Sequence, residues 1–270
     1  MLVTFLSDFG LRDDFVGVCH GVMKRIAPGL EIVDITHGIP PQHILQGALV
    51  LANTVPYMPE GVHLAVVDPG VGTDRKGLAL RDASGRVYVG PDNGLLVPAA
   101  ERNGGVAEAF ELANPEYALP EISATFHGRD VFAPAAAHLA RGVELSALGP
   151  AVDPGGLVRI AVPEPEFGKG RITATVLYVD SFGNVQVSLT REQLEGVGIV
   201  PGSSVELALG PDRYYATAAR TFADAREGDL IVYVDSYGNV SLAISGGNAA
   251  ALLGSRPGAR LRILLRPGAG

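Results

Sequence analysis

The sequence has little of what disulfide frameworks, thiolate metal sites and nucleic-acid surfaces require. Cys19 is the one cysteine among 270 residues, which excludes an internal disulfide and a cluster of thiolate ligands. The formal net charge is −8 and no basic run occurs, so neither nucleic acid nor an anionic membrane is expected as a partner. No apolar run is long enough to cross a bilayer, and no basic start typical of a signal peptide is present. We therefore expect a cytoplasmic protein that acts on a small molecule.

The first half of the chain alternates strand and helix patterns. Apolar strands are predicted over 2–6, 31–35 and 62–67, and amphipathic helices over 14–26 and 43–55. This alternation predicts an α/β fold with a mostly parallel sheet. In such sheets, ligands bind beyond the carboxyl ends of the strands.

The composition changes near residue 163. The proline-containing segment 163–169 predicts a linker between a first domain, 1–162, and a second domain, 170–270. The second domain has few helical signals and should be a small all-β barrel or sandwich. Its predicted strands are 172–179, 185–189, 205–209, 230–234, 240–244 and 261–265.

One segment of the second domain is repeated. Residues 179–185 and 234–240 share the same letters except at Phe182, which becomes Tyr237. Because Asp, Ser, Gly and Asn are turn residues, one interpretation is that the repeat only encodes two similar strand–turn–strand hairpins. The alternative is that both loops also present Asp, aromatic and Asn side chains to an amino acid and a purine.

Three polar loops of the first half are candidates for chemistry, and each could also be an ordinary turn or helix start. They are 7–14, 68–75 and 125–131. Asp8 stands just past a strand, where a carboxylate can accept hydrogen bonds from both hydroxyls of a ribose. Neither a phosphate-binding glycine loop nor a His/Glu metal pair occurs, and no metal is expected. Loop roles are predicted for His37 and His43, and an inert buried thiol for Cys19.

The order and spacing of several short motifs resemble the S-adenosyl-L-methionine hydroxide adenosyltransferase family, whose relatives are the fluorinases and chlorinases. The resemblance covers nearly the whole chain. Its motifs are Ser7-Asp-Phe-Gly10, Val67-Asp-Pro-Gly-Val-Gly72, Pro91-Asp-Asn-Gly-Leu-Leu96, Phe126-His-Gly-Arg-Asp130, Phe182-Gly-Asn-Val185, Thr221-Phe-Ala-Asp224 and Asn248-Ala-Ala250.

The resemblance implies hydrolysis of S-adenosyl-L-methionine to adenosine and L-methionine, without a metal or cofactor. It implies an N-terminal α/β domain, a C-terminal β-barrel and a homotrimer whose active site lies at the subunit interface. Asp8 resembles the ribose binder of the family. Asp68, Arg75 and His127 resemble the polar set around the attacking water.

The resemblance also implies a set of substrate-binding residues. Asp13, Asp180 and Ser236 would hold the methionine, Phe182 and Phe222 would pack on the adenine, and Asn184 with Asn248-Ala249-Ala250 would meet its polar edge. Tyr237 departs from the family, because the fluorinase has an arginine there that touches methionine.

Two residues favour water over a halide as the nucleophile. The halogenating relatives have a tyrosine at the position of Asp68, and the fluorinase has a serine at Gly128. It also has an insertion near residues 81–88 that is absent here. If Arg75 pairs with Asp68, that carboxylate is a poor base but a firm acceptor, which would leave His127 as the final proton acceptor.

Three alternatives stay open. The chain could be a halogenase that uses chloride or fluoride, a non-catalytic protein that binds S-adenosylmethionine or adenosine, or an enzyme of another nucleoside.

Overall fold

The computed structural model describes residues 1–265, which fall into two units. The first unit is Met1–Ile160, and the second begins at Ala161. Within residues 1–265, none of the helices combines the length and the apolarity that a bilayer crossing needs. The cellular compartment stays a prediction.

Residues 1–160 contain a six-stranded sheet with the strand order β2-β1-β3-β5-β4-β6. Its neighbours pair in parallel from β2 to β5, whereas β4 runs antiparallel to both β5 and β6. The predicted α/β fold with a mostly parallel sheet is therefore confirmed. The strands are β1 (Leu2–Ser7), β2 (Glu31–Thr36), β3 (Val62–Val66), β4 (Gly77–Asp82), β5 (Val87–Pro91) and β6 (Val106–Glu111).

Helices cover both faces of this sheet. They are α1 (Phe15–Ile26), α2 (Ile44–Thr54), α3 (Val97–Arg102) and α4 (Ala133–Ala140). On one face α1 and α4 pack on Phe5 and Leu64, and on the other α2 and α3 pack on Leu6 and Ala65. Burial of both faces explains why β1 and β3 are nearly continuous apolar runs.

Within residues 161–265, seven strands close into a barrel in the order β14-β10-β11-β12-β13-β9-β8, with β14 pairing back onto β8. The predicted C-terminal β-barrel is confirmed. Its strands are β8 (Arg171–Val179), β9 (Val185–Thr190), β10 (Ser204–Leu209), β11 (Asp212–Ala218), β12 (Leu230–Val234), β13 (Asn239–Ile244) and β14 (Arg260–Leu264). Two short helices, α5 (Arg191–Gly196) and α6 (Ala249–Leu253), lie between strands.

A short additional strand, β7 (Glu166–Gly168), pairs antiparallel with the start of β8. These residues fall inside the segment 163–169 that the sequence assigns to a linker. Proline and glycine there bound a strand of three residues, which is too short to give a periodic pattern.

The repeated segment forms two hairpins, as its turn residues predict. One joins β8 to β9 and the other joins β12 to β13. In each turn the aspartate side chain accepts hydrogen bonds from the backbone N–H groups two and four positions later. Asp180 Oδ1, for example, accepts from Phe182 and Asn184, both at 2.9 Å. The glycine takes a left-handed φ of +82° at Gly183 and +86° at Gly238.

Candidate active site

A cavity of about 310 Å³ lies at the carboxyl ends of β1 and β3 in the first unit. Because these strands are parallel neighbours, the loops that follow them meet at one edge of the sheet. Asp8 follows β1 directly, and Asp68 comes two residues after β3. The third polar loop adds His127 and Gly128 to the wall, so the structure brings together all three loops that the sequence singles out.

Asp68, Arg75 and His127 form one connected polar group. Arg75 donates from Nε to Asp68 Oδ1 at 2.8 Å, and from Nη2 both to Asp68 Oδ2 and to His127 Nδ1, the latter at 3.0 Å. The side chains of Arg75 and Asp68 are 11% and 6% exposed. The guanidinium also stands 5.0 Å from the ring centre of Phe132. Asp68 and His127 line the cavity, and Arg75 holds both from outside it.

This contact fixes the protonation state of His127. A guanidinium can only donate, so Nδ1 of His127 is an acceptor and the neutral ring carries its proton on Nε2. Burial, and then the positive charge of Arg75, lower the pKa of His127 below its usual value. His127 is therefore a neutral imidazole at pH 7, and the lone pair on its Nδ1 accepts the hydrogen bond from Arg75.

Asp8 is oriented by the backbone of Gln42. The Gln42 N–H donates to Asp8 Oδ2 at 2.8 Å, and Gln42 itself has a φ of +66°. Among residues 1–265 it is the one non-glycine residue with a positive φ, which marks a conformation imposed by its surroundings. Burial raises the pKa of Asp8, and the nearby charge of Asp68 adds to this effect. No sequence pattern points to Gln42, because glutamine has no preference for this conformation.

Asp13, the remaining predicted residue of the first unit, is exposed and is not part of the cavity wall.

A second cavity, of about 630 Å³, lies on the barrel. Both repeated turns contribute to its wall, and six of the predicted binding residues line it: Asp180, Phe182, Asn184, Phe222, Ser236 and Tyr237. Phe182 and Phe222 are 77% and 47% exposed, so the second unit presents two aromatic surfaces to this cavity. Exposed aromatic faces next to amide and hydroxyl groups are suited to stacking on a purine.

Five polar residues of this wall were not predicted from the sequence. They are Tyr178, Gln186, Tyr233, Asp235 and Ser241. Gln186 donates from Nε2 to Asp235 Oδ2 at 2.7 Å. Burial raises the pKa of Tyr178 and of Tyr233 to about 12, so both phenols stay protonated and can donate hydrogen bonds. Asp235 alone had a signal, since it is the counterpart of Asp180 in the repeat.

Asn248 and Ala250 support the first hairpin turn and do not line the cavity. Asn248 Oδ1 accepts a hydrogen bond from the Ala251 N–H at 2.7 Å and so caps α6. The Ala250 N–H donates to the Gly183 carbonyl at 2.9 Å. Their immediate neighbours Gly246 and Gly247 do belong to the wall.

The fold and these two cavities define a small-molecule enzyme built from an α/β unit and a β-barrel unit. The chain belongs to the SAM hydroxide adenosyltransferase family. The N-terminal domain of that family matches residues 3–149, and its C-terminal domain matches residues 174–262.

Known proteins support this assignment along the whole chain. An (R)-S-adenosyl-L-methionine hydrolase from Salinispora arenicola (strain CNS-205) is 51% identical over 97% of each chain. A fluorinase from Actinoplanes sp. (strain N902-109) is 33% identical over 90% of each chain and is therefore more distant. The solved structure of an uncharacterized conserved protein from Thermotoga maritima superposes with a TM-score of 0.90 and is 35% identical, covering 98% of this chain and 100% of that one.

Proposed function

We propose that the protein hydrolyses S-adenosyl-L-methionine to adenosine and L-methionine by attack of water at the ribose C5′. Family membership and the 51% identity to a named hydrolase support the reaction. The observation that carries the mechanism is the buried Asp68–Arg75 pair, which presents a carboxylate to the same cavity as Asp8.

In this reaction the water oxygen forms a bond to C5′ while the C5′–S bond breaks. The electron pair of that bond goes to sulfur, which leaves as the neutral thioether of methionine. Positive charge moves from the sulfonium to the water oxygen, and one of its protons must then be removed. Asp68 serves this step, because a fixed carboxylate both orients the water and stabilises the charge that develops on it.

The two-point contact with Arg75 keeps Asp68 in place. This contact occupies one lone pair on each carboxylate oxygen and leaves the other lone pairs free to accept a hydrogen bond from a water molecule.

His127 is better suited to orient the water than to take its proton. The sequence hypothesis made His127 the final acceptor, but the geometry supports a different division of roles. Nδ1 is engaged by Arg75 and Nε2 carries the ring proton, so His127 must lose the Arg75 contact before it can bind another proton. We therefore assign the first proton transfer to Asp68 and a donor role to His127.

The two cavities divide the substrate between them in this proposal. Asp8 accepts hydrogen bonds from the ribose hydroxyls, and its orientation by the Gln42 N–H supports that role. Phe182 and Phe222 stack on the adenine, with Asn184 at its polar edge. Asp180 and Ser236 meet the methionine together with Asp13, and the ring of Tyr237 takes the place of the fluorinase arginine.

Labelled water and a matched pair of variants test the reaction. With S-adenosylmethionine in ¹⁸O-water, the label should enter the 5′-hydroxyl of adenosine. Asp68→Asn should lower turnover at least 100-fold and leave substrate affinity within a few fold, whereas Asp74→Asn, an exposed neighbour in the same loop, should keep wild-type turnover. Adenosine without the label, or full turnover of Asp68→Asn, contradicts the proposal. Chloride or fluoride added to the same mixture should yield no 5′-halo product.

We also propose that the protein is a homotrimer in which each substrate is shared by the first unit of one subunit and the second unit of its neighbour. The resemblance to the family supports this assembly. Ultracentrifugation should give the mass of three chains. Co-expression of two inactive variants, Asp68→Asn and Phe182→Arg, should restore part of the activity, because some mixed sites then combine two intact halves. Sites made within one subunit would restore none.

A further inference from the structure

Three side chains that the proposed reaction does not use converge at the surface of the first unit. His20 lies on α1, Asp34 lies on β2, and His37 follows that strand. Asp34 Oδ1 lies 2.9 Å from His20 Nε2 and 3.1 Å from His37 Nε2, and the three ligand atoms all lie within 4.8 Å of one another. Two imidazole nitrogens and one carboxylate oxygen are a donor set that first-row divalent cations prefer.

We propose that His20, Asp34 and His37 bind a divalent transition cation such as Zn²⁺. In a tetrahedral zinc site with bonds near 2.1 Å, neighbouring ligand atoms are about 3.4 Å apart. The two separations from Asp34 are shorter by a few tenths of an ångström, and the ligand nitrogens of the two histidines lie within 4.8 Å of each other, so a cation would require an adjustment of the side chains by ångströms at most.

His37 supplies the second observation. Its side chain is 2% exposed, and its Nε2 makes no hydrogen bond of acceptable direction within residues 1–265, although Asp34 Oδ1 is 3.1 Å away. On the other side of the ring, Nδ1 lies 2.7 Å from Ser7 Oγ. If Nδ1 donates to that hydroxyl, Nε2 carries a lone pair that faces a carboxylate. Two acceptors at this distance repel each other unless a proton or a metal cation lies between them.

The surroundings of His37 already resemble those of a metal ligand. A histidine that binds a metal through one nitrogen usually donates from the other to an oxygen, as Nδ1 can do to Ser7. The side chains of His20 and Asp34 are 31% and 40% exposed, so a cation can enter and water can complete its coordination.

A cation here would fix the loop that carries Asp8. The carbonyl of His37 accepts a hydrogen bond from Gly10 at 2.8 Å, and Ser7 Oγ accepts one from Phe9 at 3.2 Å. We therefore assign the cation a structural role: it would hold this loop in place and would not touch the substrate.

Calorimetry on chelator-stripped protein without a polyhistidine tag tests the site directly. We expect one equivalent of Zn²⁺ to bind wild type, and His20→Ala and Asp34→Asn to weaken it at least 10-fold. His138→Ala, which removes a partly buried histidine on α4, is the matched control and should bind as wild type does. Failure of wild type to bind Zn²⁺, or equal binding by His20→Ala, would overturn the proposal.

Three further measurements test the site. Cobalt should give visible absorption bands in wild type that are lost in His20→Ala. Nitrogen NMR of the zinc-loaded protein should show His37 protonated on Nδ1 and without a proton on Nε2. A proton on Nε2 in the presence of zinc means that His37 simply donates to Asp34, and it would refute the site. Zinc should also raise Tm in wild type and leave that of His20→Ala unchanged.

Discussion

A side chain at Gly128 should disturb the wall of the first cavity. A Cβ built there would stand 2.8 Å from Cζ of Phe9 and 3.4 Å from Cε2 of Phe126. The ring of Phe9 cannot simply swing aside, because it packs edge-to-face with Phe126 and Phe15 at centroid distances of 5.7 and 6.1 Å. Overpacking of this kind costs about 2 kcal/mol. For a chain of this size, that corresponds to a fall in Tm of roughly 4–8 °C.

Thermal unfolding and turnover of Gly128→Ala and Gly128→Ser check this reasoning. Both variants should lose the same stability, since the clash lies at Cβ, and both should turn over more slowly because Gly128 adjoins His127 in the wall. Phe9→Leu removes the clashing ring carbon. The double variant Phe9→Leu/Gly128→Ala should therefore lose less than the two single variants together. An unchanged Tm for Gly128→Ala, or strictly additive losses, would refute the packing argument.

Three other predictions concern single sites. Asp8→Asn should raise KM for S-adenosylmethionine about 10-fold, with a smaller effect on kcat. Because burial raises the pKa of Asp8, the substrate affinity of the wild-type protein should fall at acid pH, where this carboxylate becomes protonated. Gly183→Ala should destabilise the second unit and weaken adenosine binding, because φ is +82° at this glycine and the new Cβ would overlap Asn248. Calorimetry should show both losses relative to Gly170→Ala, the control, since Gly170 has a similar φ (+71°) but open space around it. Burial lowers the pKa of His63 to about 4. The free energy of unfolding should therefore be full above pH 6.5 and should fall by about 3 kcal/mol as the pH drops towards 4. Urea unfolding should show a smaller loss over this pH range for His63→Gln.

The sequence predicts the part of the α/β unit in which strand and helix signals alternate, together with the alanine-rich helix that ends near Arg141, and it misses β4, β5 and β6. β1, β2 and β3 are apolar runs bounded by turn residues, and each is identified. β4 and β5 are joined by four residues without a helix, so the alternating pattern that predicts a parallel sheet gives no signal for them. Local periodicity shows that a segment is a strand, but it does not name the strand beside it.

Some features of the candidate site can likewise be predicted from the sequence, and others cannot. Convergence of Asp8 and Asp68 follows from strand and loop position, whereas His127 was joined to them only through the resemblance to the family. The proton on Nε2 of His127 does not, because it depends on a contact with Arg75 across 52 positions of sequence. The cluster of His20, Asp34 and His37 was also invisible, since its members come from different elements and have no metal-ligand spacing.

The choice between water and a halide rests on hydrogen-bond direction as much as on charge. Asp68 and the Arg75 guanidinium form a pair that is close to neutral, so simple repulsion of an anion is weakened. The carboxylate, however, can only accept, and a halide can only accept as well. A halide beside Asp68 would leave both partners unsatisfied in a buried site, whereas water donates to Asp68 and keeps a lone pair for C5′. Sites built around such a hydrogen bond reject analogues that lack it by factors on the order of 10⁴–10⁵. Arg75 strengthens this discrimination, because the donors on its Nε and Nη2 are directed at Asp68 and His127 and not at an anion in the cavity.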